Sequence, residues 1–86
     1  MTSRSFVVFA MANGFEHSRF GLTTPRKLGP AHERNRIKRR VREIIRTTRF
    51  LLPAGLDVVL NPRRSAADRE LGELRSELLS LFGSSL

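Results

Sequence analysis

The first apolar segment of the chain has the composition of a β-strand. Residues 5–11 are rich in Val and Phe and follow a short polar start, which favours extended structure. Because side chains alternate along a strand, its faces would carry Phe6, Val8 and Ala10 on one side and Val7 and Phe9 on the other. Both faces are apolar, so the strand is either buried on both sides or exposes one apolar face for binding.

Two further strands are predicted from similar patterns. Asn13-Gly14 is a turn signal, and residues 19–24 are predicted to return beside the first strand as a hairpin with a long loop. Residues 56–60 are almost continuously apolar and are followed by Asn61-Pro62. This composition suits a central position in a sheet.

Between these strands the apolar positions change to a helical period. From residue 31 to about residue 50, one face carries Ile37, Val41, Ile44, Ile45 and Thr48. This spacing sets an apolar stripe against a core. The other side collects Asn35, Lys38, Arg39, Arg42, Arg46 and Arg49. The helix therefore combines a core stripe with a cationic stripe.

A last helix is predicted near the carboxyl terminus. Ser65 with Asp68 has the pattern of a capping box that would start it, and Gly83 is its predicted stop. Its apolar stripe comprises Leu71, Leu74, Leu78, Leu81 and Phe82. The order strand, strand, basic helix, strand, helix indicates an α+β fold, a small mixed sheet packed with a basic helix and a carboxyl-terminal helix.

Length and charge narrow the class of protein. The 86 residues suffice for one small domain, residues 1–86, and contain no Cys, which fits a reducing cytoplasm. The formal net charge is +8, and charge of this size is usually retained where a polyanionic partner meets it. Residues 1–64 carry fourteen Arg or Lys against four acids, whereas residues 65–86 have a net charge of −2. The last segment is therefore a packing element.

The basic helix concentrates the positive charge. Residues 34–49 hold eight of the sixteen basic residues and one acid, Glu43. Like charges four positions apart, such as Lys38 and Arg42, each cost roughly 0.2–0.5 kcal/mol in a free helix, and bound phosphates would remove that cost. Arg outnumbers Lys seven to one in the segment, which favours bidentate phosphate contacts. A nucleic-acid surface explains this pattern better than a merely solubilising face does.

Other functional classes find little support. The apolar run of residues 6–12 resembles a signal peptide, whose apolar region has about 7–15 residues ahead of the cleavage site. Here the run reaches seven residues only if the would-be cleavage site is counted. No stretch approaches the roughly 20 apolar residues of a membrane span. His17 and His32 lack a metal-ligand spacing, and no phosphate-binding glycine loop is present. We therefore expect neither a membrane partner nor a small-molecule substrate, and we expect the partner to perform any chemistry.

One segment of the basic helix carries a family resemblance. Residues 34–39 read Arg-Asn-Arg-Ile-Lys-Arg, residues 19–29 precede them as RFGLTTPRKLG, and residues 57–63 follow as DVVLNPR. In this order they resemble the bacterial ribonuclease P protein component, in which Arg-Asn-Arg-x-Lys-Arg lies on a helix. In that family a strand and a turn precede this helix, and the last strand and helix follow it. The resemblance covers nearly the whole chain.

This resemblance implies a ribonucleoprotein that removes the 5′ leader from precursor tRNA. In that family the catalytic RNA and its bound Mg²⁺ perform the hydrolysis, so the protein is expected to supply no catalytic residue and to bind no cofactor alone. The positions implied to bind the catalytic RNA are Arg34, Asn35, Arg36, Lys38, Arg39 and Arg42, to which we add Arg46 of the cationic stripe. A leader-binding cleft is implied at Val7, Phe9, Thr23 and Lys27, with Phe9 either stacked on a leader base or part of the core. The implied fold resembles the ribosomal protein S5 domain 2-like fold, with a left-handed βαβ crossover.

The chain departs from the family pattern in two places. The family normally has a helix and a short strand ahead of the strand at residues 5–11, and this chain has almost none of that segment. Such a shortened amino terminus would weaken the cleft, because the helix contributes to it. Pro30 and Glu33 stand where Asn and an apolar or small residue are commoner, although Pro30 suits the entry to a helix.

Two other functions are compatible with a basic helix on a small sheet. One is a ribosomal or other RNA-scaffold binding protein with no processing role. The other is a DNA-binding module whose basic helix enters a major groove.

Overall fold

The computed structural model describes residues 1–83. Its main elements are β1 (Phe6–Ala12), β2 (Arg19–Leu22), α1 (Ala31–Thr48), β3 (Leu56–Pro62) and α2 (Leu71–Gly83). Short 3₁₀ turns lie at Arg26–Leu28, Arg49–Leu51 and Arg64–Ala67. The predicted order of strands and helices is confirmed, and so is the α+β class.

The three strands form a mixed sheet in the order β1-β3-β2. β3 pairs antiparallel with β1 and parallel with β2, which confirms its predicted central position. The predicted hairpin of β1 with β2 is wrong, because β3 lies between them. The backbone amide of Asn13 donates to the Gly55 carbonyl, and the side-chain amide of Asn13 donates to the Asp57 carboxylate. These bonds tie the turn to the start of β3, so the chain crosses the end of that strand before β2 begins.

The core lies between one face of the sheet and both helices. Its most fully buried large side chains are Phe6, Val8, Ile37, Val41, Val58, Leu60, Leu74 and Leu78. Burial of each such side chain contributes about 1.5–3 kcal/mol. The predicted apolar stripe of α1 is confirmed, with Ile45 at its partly buried margin. Ala10 shares the core-facing side of β1 but is exposed, because that end of the strand borders an open apolar cavity of about 520 Å³.

The start of the last helix differs from the prediction. Residues Arg64–Ala67 form a 3₁₀ turn, and α2 begins only at Leu71, so the predicted capping box at Ser65 is wrong. The Ser65 hydroxyl instead donates to the Arg4 carbonyl and to the Ser5 hydroxyl, and it therefore anchors the chain ahead of β1. Leu74, Leu78 and Phe82 are buried as predicted, Leu81 is partly buried, and Leu71 is exposed. Gly83, the predicted stop, is the last described residue of α2.

A polar cluster joins the chain just before β1 to α2. The backbone amide and the hydroxyl of the buried Ser5 each donate to the Glu77 carboxylate at 2.8 Å. Arg69 Nε lies 3.2 Å from the same carboxylate. Burial alone raises the pKa of Glu77, but the hydrogen bonds from Ser5 and Ser3 and the charge of Arg69 outweigh it, so this pKa is lowered from its ordinary value of 4.5.

We expect Glu77→Gln to lower the free energy of unfolding near neutral pH by about 1–2 kcal/mol, because one Ser5 donor would then face an amide NH₂. The lowered pKa means that the carboxylate stabilises the fold above its unfolded pKa and that this contribution is lost as pH falls through the folded pKa. Urea unfolding from about pH 7 to about pH 3 should therefore give stability curves that converge in acid. Glu70→Gln is the matched control, because this exposed carboxylate just before α2 forms no ion pair within residues 1–83. A difference in the free energy of unfolding between wild type and Glu77→Gln that does not change with pH would contradict the expectation.

Candidate nucleic-acid interface

The cationic side of α1 faces away from the core. Burial of Ile37, Val41 and Ile44 fixes the rotation of the helix about its axis, which turns the predicted cationic stripe outward. Five of its outward side chains line a shallow cavity of about 410 Å³: His32, Asn35, Lys38, Arg39 and Arg42. We call these five residues the basic face. Guanidinium and ammonium groups around such a depression suit phosphate groups.

The other predicted RNA-binding residues of α1 have different surroundings. Arg36 is exposed, and Arg34 is half-buried with an Nε that has no hydrogen-bond partner among residues 1–83. Arg46 donates two hydrogen bonds to Glu43, which lower the pKa of that carboxyl. The structure therefore places Arg36 free in solvent, Arg34 at the margin of the core and Arg46 in an ion pair. Binding of RNA by these residues stays a prediction.

Arg40 belongs to the same basic run in sequence but faces inward. Its side chain is half-buried, and its Nε donates to the Ala66 carbonyl at 3.1 Å. This bond ties α1 to the turn at Arg64–Ala67. Arg40 therefore stabilises the fold and does not belong to the basic face.

The sheet face opposite the helices is open to solvent. On this face Val7 lies beside Asn61 of the neighbouring strand. Phe9, Val59 and Gly21 form a second row across the three strands. Phe9 is 59% exposed, so it is not a core residue. β1 thus buries one apolar face and exposes the other, the second of the two arrangements expected from its composition.

A cleft with a volume of about 500 Å³ opens on this face. All four residues predicted for a leader-binding cleft line it, namely Val7, Phe9, Thr23 and Lys27. The Thr23 hydroxyl donates to the Asn61 side chain, and the turn Arg26–Leu28 carries Lys27 to the rim. An exposed aromatic ring beside a cation suits a single-stranded nucleic acid, in which bases stack and phosphates need counter-charges. Binding of a leader there stays a prediction.

Two basic residues of the cleft were missed from the sequence. Arg63 and Arg64 also line it, because they follow directly on the central strand. Arg64 Nε donates to the Leu28 carbonyl at 3.3 Å, which joins the two turns that border the cleft. The signal available in the sequence was a pair of arginines immediately after a buried strand and Pro62.

Two further kinds of site are absent from the described part of the chain. Residues 1–83 bring no three His, Cys, Asp or Glu side chains together in a way that could hold a metal ion. Over the same range, no helix is both long and apolar enough to cross a membrane.

Comparison with known sequences identifies relatives along almost the whole chain. A family model described as Ribonuclease P matches residues 1–85. A Thermotoga maritima protein named Ribonuclease P protein component is 39% identical over 81 residues, which cover 90% of this chain and 69% of that protein. A Streptococcus pneumoniae protein of the same name is 38% identical over 80 residues, covering 93% of this chain and 65% of that protein. The chain thus matches about two thirds of the length of these relatives.

Comparison with solved structures gives the same relatives. The RNase P protein from Thermotoga maritima matches with a TM-score of 0.86 and 36% identity, covering 95% of this chain and 78% of that one. The Staphylococcus aureus RNase P protein matches with a TM-score of 0.80 and 28% identity, covering 99% of this chain and 78% of that one. The strand order and the helix positions are therefore those of a known fold.

Proposed function

The chain belongs to the ribonuclease P protein family, and from that membership we propose that it assists removal of the 5′ leader from precursor tRNA in the cytoplasm. Its partners in this proposal are the catalytic RNA of ribonuclease P and precursor tRNA. The family match does not favour the ribosomal-scaffold or DNA-binding alternatives.

The observation that carries the proposal is the presence of two surfaces of different chemistry on different elements. The basic face of α1 sets Lys38, Arg39 and Arg42 around one shallow depression, which suits the phosphates of a folded RNA. The cleft on the sheet combines Phe9 and Val7 with Lys27 and Arg63, which suits unpaired nucleotides. We therefore assign the catalytic RNA to the basic face with Arg34, Arg36 and Arg46, and the leader to the cleft.

In this proposal the protein positions its RNA partners and neutralises their charge. A leader base stacks on Phe9 while Lys27 and Arg63 meet neighbouring phosphates, so that the cleavage site is held near the catalytic RNA. Hydrolysis would take place at the RNA subunit, where bound Mg²⁺ would activate the attacking water and stabilise the leaving oxygen. No side chain of this chain carries a chemical step, and the protein alone binds no cofactor.

The proposal is tested by leader removal in a reconstituted reaction. We expect the purified protein to cleave no precursor tRNA by itself and to lower the Mg²⁺ concentration at which its cognate catalytic RNA becomes active, because its cations replace part of the ion atmosphere. Cleavage of labelled precursor tRNA is followed against Mg²⁺ with and without protein. The same Mg²⁺ dependence in both reactions would refute the proposal.

A further inference from the structure

A second groove lies between the edge strand β2 and the helix α1. It has a volume of about 480 Å³, and its lining includes four arginines: Arg19, Arg42, Arg46 and Arg49. It shares no lining residue with the cleft. Arg42, however, lines both this groove and the cavity of the basic face. An RNA strand that leaves the basic face can therefore enter the groove around Arg42.

Two of the four arginines keep their charge uncompensated. Arg19 lies 2.7 Å from Asp57, and Arg46 lies 2.6 Å from Glu43. Arg42 and Arg49 form no ion pair with any residue from 1 to 83. The groove therefore offers two unpaired guanidinium groups to an anion. Their planar donor sets match a phosphate.

An exposed aromatic pair stands at the rim of the groove. The rings of Phe15 and His17 are stacked with centroids 5.9 Å apart and an interplanar angle of 18°. The Arg19 guanidinium lies 5.0 Å from the centroid of the Phe15 ring. Phe15 is 52% exposed, and His17 is exposed and lines the groove. The pair adds nothing to the core, so its stacking surface is available to a ligand.

The loop that carries these rings is held in place by side-chain hydrogen bonds. The Asn13 side chain accepts from the Phe15 amide at 2.8 Å and donates to the His17 carbonyl at 3.1 Å. The Ser18 hydroxyl donates to the Pro53 carbonyl and accepts from the Leu56 amide. The backbone that carries the rings is thereby fixed before any ligand arrives, which reduces the entropy lost on binding.

We propose that this groove binds an unpaired nucleotide of the RNA held by the basic face, with a phosphate between Arg42 and Arg49 and the base stacked on the His17 ring. The inference rests on the proposed function only in taking RNA as the partner. An acidic peptide would satisfy the two arginines but would leave the stacking surface unused. A nucleotide uses both features.

The inference can be tested by NMR of the full chain with ¹³C-labelled histidine. His17 and His32 are the only two histidines, and His17→Ala assigns their signals. The probes are an oligoadenylate of about ten nucleotides and an RNA duplex of matching length. We expect oligoadenylate to move the His17 ring protons upfield through the ring current of a stacked base, and the duplex to leave them in place. His32, on the basic face, is the internal control and should respond to both probes.

Affinity measurements complete the test. We expect Phe15→Ala combined with His17→Ala to weaken oligoadenylate binding about fivefold or more and to leave duplex binding unchanged. Phe50→Ala, which removes an exposed ring that does not line the groove, is the control. Unmoved His17 signals at saturating oligoadenylate, or equal shifts with oligoglutamate, would overturn the inference. Either result is separable from failure of the proposed function, which is judged by the Mg²⁺ dependence of cleavage.

Discussion

Replacing Arg39 and Arg42 together by alanine should weaken binding of the catalytic RNA about 25- to 60-fold near 0.1 M salt. Both side chains line the basic face, and neither forms an ion pair within residues 1–83. Each phosphate contact changes the slope of log K against log salt by roughly 0.7–0.9. With about five contacts the wild-type slope would be roughly −3.5 to −4.5, and the double variant should flatten it by up to about two.

The measurement is a binding titration with transcribed catalytic RNA at several salt concentrations from about 0.1 to about 0.4 M. Arg75→Ala is the matched control, because it removes a cation that lies outside both candidate surfaces. Circular dichroism should show unchanged folding, since both altered side chains on α1 are exposed. An unchanged slope in the double variant would remove Arg39 and Arg42 from the interface.

Phe9→Ala should weaken binding of precursor tRNA to the reconstituted holoenzyme by about 5- to 150-fold. The ring is 59% exposed at the cleft, so its loss should remove a base-stacking surface without opening a hole in the core. Alanine substitution at a nucleic-acid stacking position typically costs about 1–3 kcal/mol per base. The free energy of unfolding should change by less than about 0.5 kcal/mol, as for other exposed positions.

Two comparisons separate the loss of a leader contact from other causes of weaker binding. Mature tRNA has no 5′ leader, so its affinity should be the same for wild type and Phe9→Ala. Met11→Ala removes another exposed apolar side chain from the same strand, but Met11 does not line the cleft. A loss of affinity shared by mature tRNA, or a loss of similar size in Met11→Ala, would show that Phe9 does not contact the leader.

Local periodicity was enough to predict the main elements of the fold. The rotation of α1 follows from the spacing of Ile37, Val41 and Ile44, and the same geometry turns Lys38 and Arg39 outward. The position of β3 followed from its nearly continuous apolar composition, because a strand flanked on both sides is shielded from water. These features depend on neighbours within a few residues, which is the range over which a sequence pattern carries information.

The errors arose where distant segments meet. The Asn-Gly pair indicates a turn but does not say which strand the chain joins next, and contacts of Asn13 with Gly55 and Asp57 decide that. The Ser65 hydroxyl has the right spacing for a helix cap, yet it is used by Arg4 and Ser5 about sixty residues earlier in the chain. Competition of this kind between a local and a distant hydrogen-bond partner leaves no local pattern.

The candidate site divides in the same way. Four of the five residues of the basic face, all but His32, could be predicted from charge and helical period alone. The cleft residues came from the family resemblance, because Val7, Thr23 and Lys27 share no periodicity. The groove beside β2 appeared only in three dimensions, since it joins a loop at residues 13–18 to the far end of α1.

The central position of β3 also determines the order in which the basic face and the cleft can form. β1 pairs with β3 from Phe6 to Pro62, so during synthesis the first strand must wait for most of the chain before it gains its neighbour. The basic face is formed by α1 alone, whereas the cleft takes residues from β1, from the segment after β2 and from the end of β3. Non-local pairing of this kind folds late. A nascent chain should therefore expose the cationic side chains of α1 before the cleft exists.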